Sequence, residues 1–325
     1  MNNNLEKIRK YRKIRNQSIF SGCILQDDTC NGVSHAHSLQ ENGILNRLAR
    51  NSMVLTIDFS KSIADKGKVR LHEVAISKAS TFTGFCNNHD SKVFKPIEAN
   101  EYTRGNLHQN YLFAYRAFAL GYYERYSSYQ MYRFRLQEAI EQKLNSINKL
   151  ESRVKDYEEH LKLIERLKNT LNSNLRNGRF DRITTDLLIW PSEYGIASTS
   201  MFFLGRDNIG NIINSPDSYM TPIFFTIFPQ QGFTFVLLSY LTKDKNRYTF
   251  INSQIVNVPI EQQKIIVSNL IATYIENIHI SPDYWDSLPD SIKSKYYEIF
   301  NSSLGNRKPP RLAYYSDFNL FWKVI

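Results

Sequence analysis

The sequence predicts an α+β protein, on three observations. All three cysteines and five of the seven histidines fall in the first third of the 325 residues. A heptad pattern of apolar residues fills the middle of the chain. The last part alternates short β-branched and aromatic runs with Gly, Pro, Asn and Asp turns, then ends in helical stretches. The chain therefore divides into a basic arm at 1–20, a Cys/His module at 21–105, a helical region at 106–178 and an α+β domain at 179–325.

The arm carries Lys7, Arg9, Lys10, Arg12, Lys13 and Arg15 against Glu6 alone, half of the formal net charge of +10. Such a cluster attracts phosphate backbones with little sequence preference, and its binding weakens with salt. DNA or RNA is the expected partner; a solvated helix, or one docked on an acidic protein face, is the bland alternative. The N-terminus has no apolar signal core, and no run nears the ~18 apolar residues of a membrane span. Neither secretion nor a membrane is expected. A sparse, odd cysteine count points to a reducing cytoplasm rather than a disulfide framework.

In the module, Phe85-Cys86-Asn87-Asn88-His89-Asp90 contains a C-x2-H knuckle, and Cys23 and Cys30 form a wider pair upstream. Three thiolates and one imidazole complete a tetrahedral zinc site, so Cys23, Cys30, Cys86 and His89 are the predicted ligands. The alternative is two ordinary buried thiols and a surface histidine. Residues 38–51 suit a short helix with Leu39, Ile44, Leu45 and Leu48 apolar, residues 53–59 alternate like a strand, and Asp65-Lys66-Gly67-Lys68 reads as a turn. Asp90 to Phe94 looks like a helix start, interrupted by Pro96. The carboxylates Asp27 and Asp28 read as solvated loop residues. Ser34-His35-Ala36-His37 lies between the zinc pairs and leaves two histidines unused; on a strand they face the same way.

This order of elements resembles the treble-clef zinc module of HNH endonucleases, over about 70 residues of the N-terminal part. In that family a cysteine pair precedes a strand bearing histidines, and a later knuckle opens the final helix. Here Ala36 separates the histidines, the second knuckle is C-x2-H followed by Asp90, and the stretch from His37 to Cys86 is about twice the usual length, which implies an insertion. The resemblance implies phosphodiester hydrolysis assisted by Mg²⁺ or Mn²⁺. His37 would be the general base, His35 and Asp90 would hold the divalent ion, and Asn46 would orient the base. The structural alternative is that one ring bonds a backbone carbonyl, or that His35 replaces Cys30 at the zinc.

From Asn106 the pattern is helical and aromatic. Tyr111, Tyr115, Phe118 and Tyr122 interleave with arginines, a pattern read as core in preference to base stacking. Leu136, Ile140, Ile147, Leu150, Val154, Tyr157, Leu161, Ile164, Leu171 and Leu175 then follow three- and four-residue steps, with Lys143 and Lys168 in the seam. One continuous helix over 136–175 would be about 60 Å long at ~1.5 Å per residue. It would bury its stripe as a coiled coil, in a homodimer or against a helical partner protein, in preference to an antiparallel helix from this chain.

Beyond Arg179, strands are predicted at 183–190, 200–204, 221–228 and 232–241, and helices at 260–278 and 287–301. The expected architecture is a small antiparallel sheet with helices on one side. His72 and His108 read as ordinary polar residues, and His160 and His279 lie far from the module in sequence. Two functions stand: an HNH-like nuclease or nuclease-derived nucleic-acid-binding protein, and a non-catalytic zinc-stabilised component of a larger assembly.

Overall fold

In a computed structural model, residues 9, 13–62, 68–215, 219–304 and 309–322 are described. The mixed helix-and-sheet class is as expected. Its centre is a seven-stranded antiparallel sheet; the nine strands of the described residues are numbered β1 to β9 along the chain. β1 is Ala36–His37, β2 Met53–Ile57, β3 Leu71–Ala75 and β4 Thr81–Phe82. β5 is Ile183–Trp190, β6 Ile196–Phe202, β7 Ile223–Gln230, β8 Phe233–Leu241 and β9 Ile278–Ile280. The large sheet runs β3-β2-β9-β6-β7-β8-β5, and β1 pairs with β4 in a separate small hairpin.

The central strands are apolar on both faces because both faces are covered. Phe224, Phe228 and Phe235 point to one side, where they share a core with Tyr111, Phe118 and Phe85. Phe225, Ile227, Val236 and Leu238 point to the other, against Ile266, Leu270, Tyr296 and Phe300. The second face is covered by helices Ile260–Tyr274 and Asp290–Ser303, the first by helix Leu107–Glu141. The expectation of helices on one side is therefore corrected: the long aromatic helix supplies a second layer. It approaches so closely that a Cβ on Gly121 would come within 2.6 Å of Met201 Cε.

Helices are numbered α1 Asn87–Val93, α2 Leu107–Glu141, α3 Ile147–Arg176, α4 Ile260–Tyr274 and α5 Asp290–Ser303. The single helix expected over 136–175 is broken. α2 stops at Glu141, Lys143 takes the left-handed conformation (φ 53°), and α3 starts after Ser146. Thus Lys143 is a turn residue, not a seam residue.

The heptad stripe finds an antiparallel partner in its own chain. Tyr115 donates to Asn172 Oδ1 (2.7 Å), Tyr122 to Glu165 Oε1 (2.6 Å), and Tyr132 stacks on Tyr157 at 5.2 Å. Lys168, the other seam lysine, pairs with Glu165 at 2.6 Å. Leu161, Ile164, Leu167 and Leu171 are buried against this face, each side chain contributing about 1.5–3 kcal/mol by removal from water. From Leu161 on the stripe is covered within the chain, whereas Ile140 stays exposed.

The Cys/His module is not a separate unit. β2 and β3 leave it to join the large sheet, with Leu55 opposite Ile280 and Thr56 opposite His279. This hairpin lies in the stretch between His37 and Cys86. The sequence boundary at 105 and that at 178 are both crossed by one continuous core. Residues 65–67 of the expected turn lie outside the described residues.

Candidate metal centre

The knuckle residues reach each other through short backbone ladders. Ile24 donates to Gly84 O (2.9 Å), Ser34 to Phe85 O (2.8 Å) and Asn87 to Gly32 O (3.0 Å). Cys86 is the N-cap of α1, in extended conformation, and its sulfur accepts from the His89 N–H at 3.4 Å. One helical turn then returns the His89 ring to the same sulfur, which is why a C-x2-H spacing at a helix start makes two convergent ligands.

His89 Nδ1 lies 3.2 Å from Cys23 Sγ, 3.5 Å from Cys30 Sγ and 3.3 Å from Cys86 Sγ. All four donor atoms fall within 4.8 Å of one another. Zinc–sulfur bonds near 2.3 Å and zinc–nitrogen bonds near 2.0 Å at a tetrahedral angle imply S···N edges of about 3.5 Å. The donor set fits zinc in type, number and spacing. Four protein ligands leave no open position, the pattern of a structural site.

The far side of the ring is held as well. His89 Nε2 lies 3.1 Å from Asp27 Oδ2, which fixes the proton on Nε2 and turns the Nδ1 lone pair toward the sulfurs. Asp27, read from sequence as solvated, is thus a supporting carboxylate. Its Thr29 hydroxyl and N–H bonds, then His89, hold its carboxyl below the usual range. The signal was present in Asp27-Asp28-Thr29, a side-chain turn just before Cys30.

The thiols differ. Burial pushes Cys23 up to about 11. Burial also works to raise Cys86, but the backbone N–H groups of His89 and Asn31, then the Cys23 and Cys30 thiols, together bring it down to about 7. Above the cluster, Asn172 of α3 donates to Ile24 O (2.9 Å) and Arg176 to Leu25 O and Gln26 O, so α3 holds the knuckle's carbonyls.

The expected catalytic set is only partly assembled. His37 is half-buried; its Nδ1 lies 3.0 Å from Ala79 O and 3.3 Å from Ser80 Oγ, and its Nε2 3.2 Å from Glu41 Oε2. Both ring nitrogens of His37 thus face acceptors, the Ala79 carbonyl and the Glu41 carboxylate. Glu41, not Asn46, is therefore the side chain beside it. Asn46 is exposed at the start of a short helix, a correction to its expected role. His35 precedes β1 and is exposed, so the two histidines do not share a strand face. Asp90 accepts from Ser34 Oγ (2.8 Å) instead of joining His35 at an ion, and burial raises its carboxyl. Among the described residues, the Cys3His set is the one group of His, Cys, Asp and Glu whose atoms converge as metal ligands.

Of the basic arm, Arg9, Lys13 and Arg15 are exposed, residues 13–18 being helical; Lys7, Lys10 and Arg12 lie outside the described residues. Among the described residues no helix is long and apolar enough to cross a membrane. No protein-family model, curated protein or solved structure matches the chain.

Proposed function

We propose that the chain is a zinc-stabilised nucleic-acid-binding protein whose N-terminal module is derived from an HNH-type treble clef. The observation that carries this reading is the closed Cys23–Cys30–Cys86–His89 cluster at the start of α1. The order of cysteine pair, β1, β4 and Cys86-capped helix supports the treble-clef resemblance, with the β2–β3 hairpin inserted between the two strands. Zinc, when bound, cross-links the knuckle to the helix; it supplies no vacant position for chemistry. The exposed Arg9, Lys13 and Arg15 supply the electrostatic contact with a phosphate backbone.

The test has two parts. Protein purified without added metal should contain about one equivalent of zinc. Fluorescence anisotropy with single- and double-stranded DNA and RNA should give affinity that falls steeply with salt. Replacing Arg9, Lys13 and Arg15 with Gln should weaken it and flatten that salt dependence. Unchanged affinity in the triple variant refutes the nucleic-acid assignment.

One observation bears on cleavage as a second reading: half-buried His37 is oriented by the Ala79 carbonyl at Nδ1 and by Glu41 at Nε2. The absence of a second convergent ligand group among the described residues makes it the weaker of the two. Mg²⁺- or Mn²⁺-dependent cleavage that disappears in His37→Ala, with zinc retained, would raise it above the first.

A further inference from the structure

The two edges of the seven-stranded sheet are finished differently. At the β3 edge, Leu71 donates its N–H to the Tyr297 hydroxyl of α5 (3.4 Å), and Asn301 of the same helix holds Val69 N–H (2.9 Å) and Val69 O (3.2 Å). At the β5 edge, the eight-residue strand Ile183–Trp190 runs one-to-one against β8, with no bulge, lysine or proline to interrupt it. Those are the devices that ordinarily keep a strand edge from pairing with another chain.

The direction of the β5 backbone groups follows from the β7–β8 turn. Gln231 and Gly232 both have positive φ (50° and 81°), a two-residue turn that makes Gln230 and Phe233 a hydrogen-bonded pair. Bonded and non-bonded pairs alternate from there, so odd-numbered residues of β8 bond to β7 and even-numbered ones to β5. Pro229, with no N–H to give, falls opposite Thr234 in a non-bonded pair, as this phase requires. Thr184, Asp186, Leu188 and Trp190 lie opposite Tyr240, Leu238, Val236 and Thr234, and so spend their backbone groups on β8. Ile183, Thr185, Leu187 and Ile189 point theirs outward. The Ile183 N–H closes the preceding turn on Phe180 O. Among the described residues, nothing hydrogen-bonds the backbone of Thr185, Leu187 or Ile189 from outside the sheet, and all three residues are part-exposed.

The side chains of these three are uncharged. They lie on the α2 side of the sheet, where Thr185 bonds Ser239 Oγ (2.8 Å) and Leu187 and Ile189 are incompletely covered by the core. The one charged residue of the strand, Asp186, faces the other side and accepts from the Tyr240 hydroxyl (2.8 Å).

We propose that β5 is the interface with a second copy of this chain, the two strands pairing antiparallel about a two-fold axis at Leu187 and joining two sheets into one. Such pairing needs outward-facing residues opposite each other. Centred on Leu187, it sets Leu187 against Leu187 of the copy and Thr185 against Ile189, which uses all three free residues for about six hydrogen bonds. The same register puts Asp186 opposite Leu188. A centre at Asp186 would bring two carboxylates face to face and spend a pair on Ile183, whose N–H is taken. The strand is thus complementary to itself in hydrogen bonding, in apolar side chains and in charge, which is what an isologous interface requires. Pairing through β5 asks nothing of the zinc cluster or the basic arm.

The experiment is sedimentation velocity on the full-length, zinc-replete protein from about 1 to about 100 µM, with amide hydrogen exchange at both ends of that range. The wild type should pass from monomer to dimer, and the amides of Thr185, Leu187 and Ile189 should exchange more slowly at the higher concentration. Leu187→Pro removes an outward N–H and leaves the bonds to β8 in place; Thr185→Lys puts a charge on the edge. Each should weaken dimerisation by about tenfold or more. Ile140→Glu, on the exposed part of the heptad stripe, should leave the dimer intact. Circular dichroism checks the fold, and Thr185→Lys with the exchange data keeps the test decisive if the proline variant misfolds. A monomer throughout the range, a dimer that Thr185→Lys retains, or a dimer lost in Ile140→Glu overturns the proposal. So does exchange at the three amides that is independent of concentration.

Discussion

In the knuckle, three thiols and an imidazole nitrogen stand within 4.8 Å of one another, and a carboxylate steadies the imidazole from behind. Beside a cleft of about 690 Å³ under the N-terminal helix, His279 is buried with its Nδ1 unpartnered, and Glu124 and Glu276 are on the lining. The first cluster is closed on itself and needs one ion to become a cross-link. The second holds a buried imidazole whose Nδ1 has no hydrogen-bond partner, near a carboxyl that burial pushes up to about 8. A cluster that satisfies itself contributes to folding, whereas one left unsatisfied costs stability.

The largest effect expected from this contrast is in the knuckle. Cys86→Ser should lose the zinc and destabilise the protein by more than about 4 kcal/mol in urea titration, the range typical of losing a structural metal. Full zinc content and unchanged stability in that variant would break the comparison at its first term.

The cleft should give a smaller effect of opposite sign. Burial, then repulsion by Glu276, raises Glu124 from 4.5 to about 8. A raised acid contributes stability below its unfolded value and loses it as pH climbs through the folded value. Stability should therefore fall between about pH 4.5 and pH 8 on account of this group. Glu124→Gln should flatten that slope and stabilise the protein at pH 9 by about 3 kcal/mol or less. His279 works from the acid side. Burial, then the nearby His37, depresses it from 6.5 to about 3, so its contribution is present above pH 6.5 and is lost as pH falls toward 3. Thermal melts from pH 4 to 9, on the wild type and the Gln variant, read both flanks. An unchanged slope in Glu124→Gln would remove the carboxyl from the argument.

The smallest effect sharpens the comparison. Asp27→Asn leaves all four ligands but weakens the hold on His89, and zinc affinity should drop about tenfold, within the range usual for outer-shell partners. Competition with a chromophoric chelator measures it. An affinity within twofold of the wild type would make Asp27 a surface residue after all.

The two clusters were unequally legible in the sequence because they are built differently. Cys86 and His89 lie one helical turn apart, so local geometry alone brings them together, and the scarcity of cysteine pointed to Cys23 and Cys30. Glu124, Glu276 and His279 meet only through the packing of α2 against the sheet, which no spacing encodes. β9 was hidden for a related reason. Ile260 to Ile278 is apolar enough to read as one helix, yet α4 ends at Tyr274, and Ile278-His279-Ile280 has the period of a strand. The strands at 183–190 and 232–241 were readable because branched and aromatic residues filled them between clear turns. The heptad stripe predicts one long helix, but it is split into α2 and α3, which pair with each other inside the chain. The turn at Lys143 was missed because Lys143 stood in the seam register and was taken for a polar seam residue.

The pairing of β2 with β9 also has a meaning in time. Synthesis delivers the knuckle, β1 and β2 first, but β2 cannot gain its inner neighbour until residues 278–280 have left the ribosome. The β2–β3 hairpin must wait as a two-stranded ribbon, marginal by itself, while nearly all of the remaining chain is made. A nascent chain arrested before Ile278 would have all four zinc ligands available and that ribbon's inner edge bare. Such an edge is where a chaperone or a second nascent copy would attach.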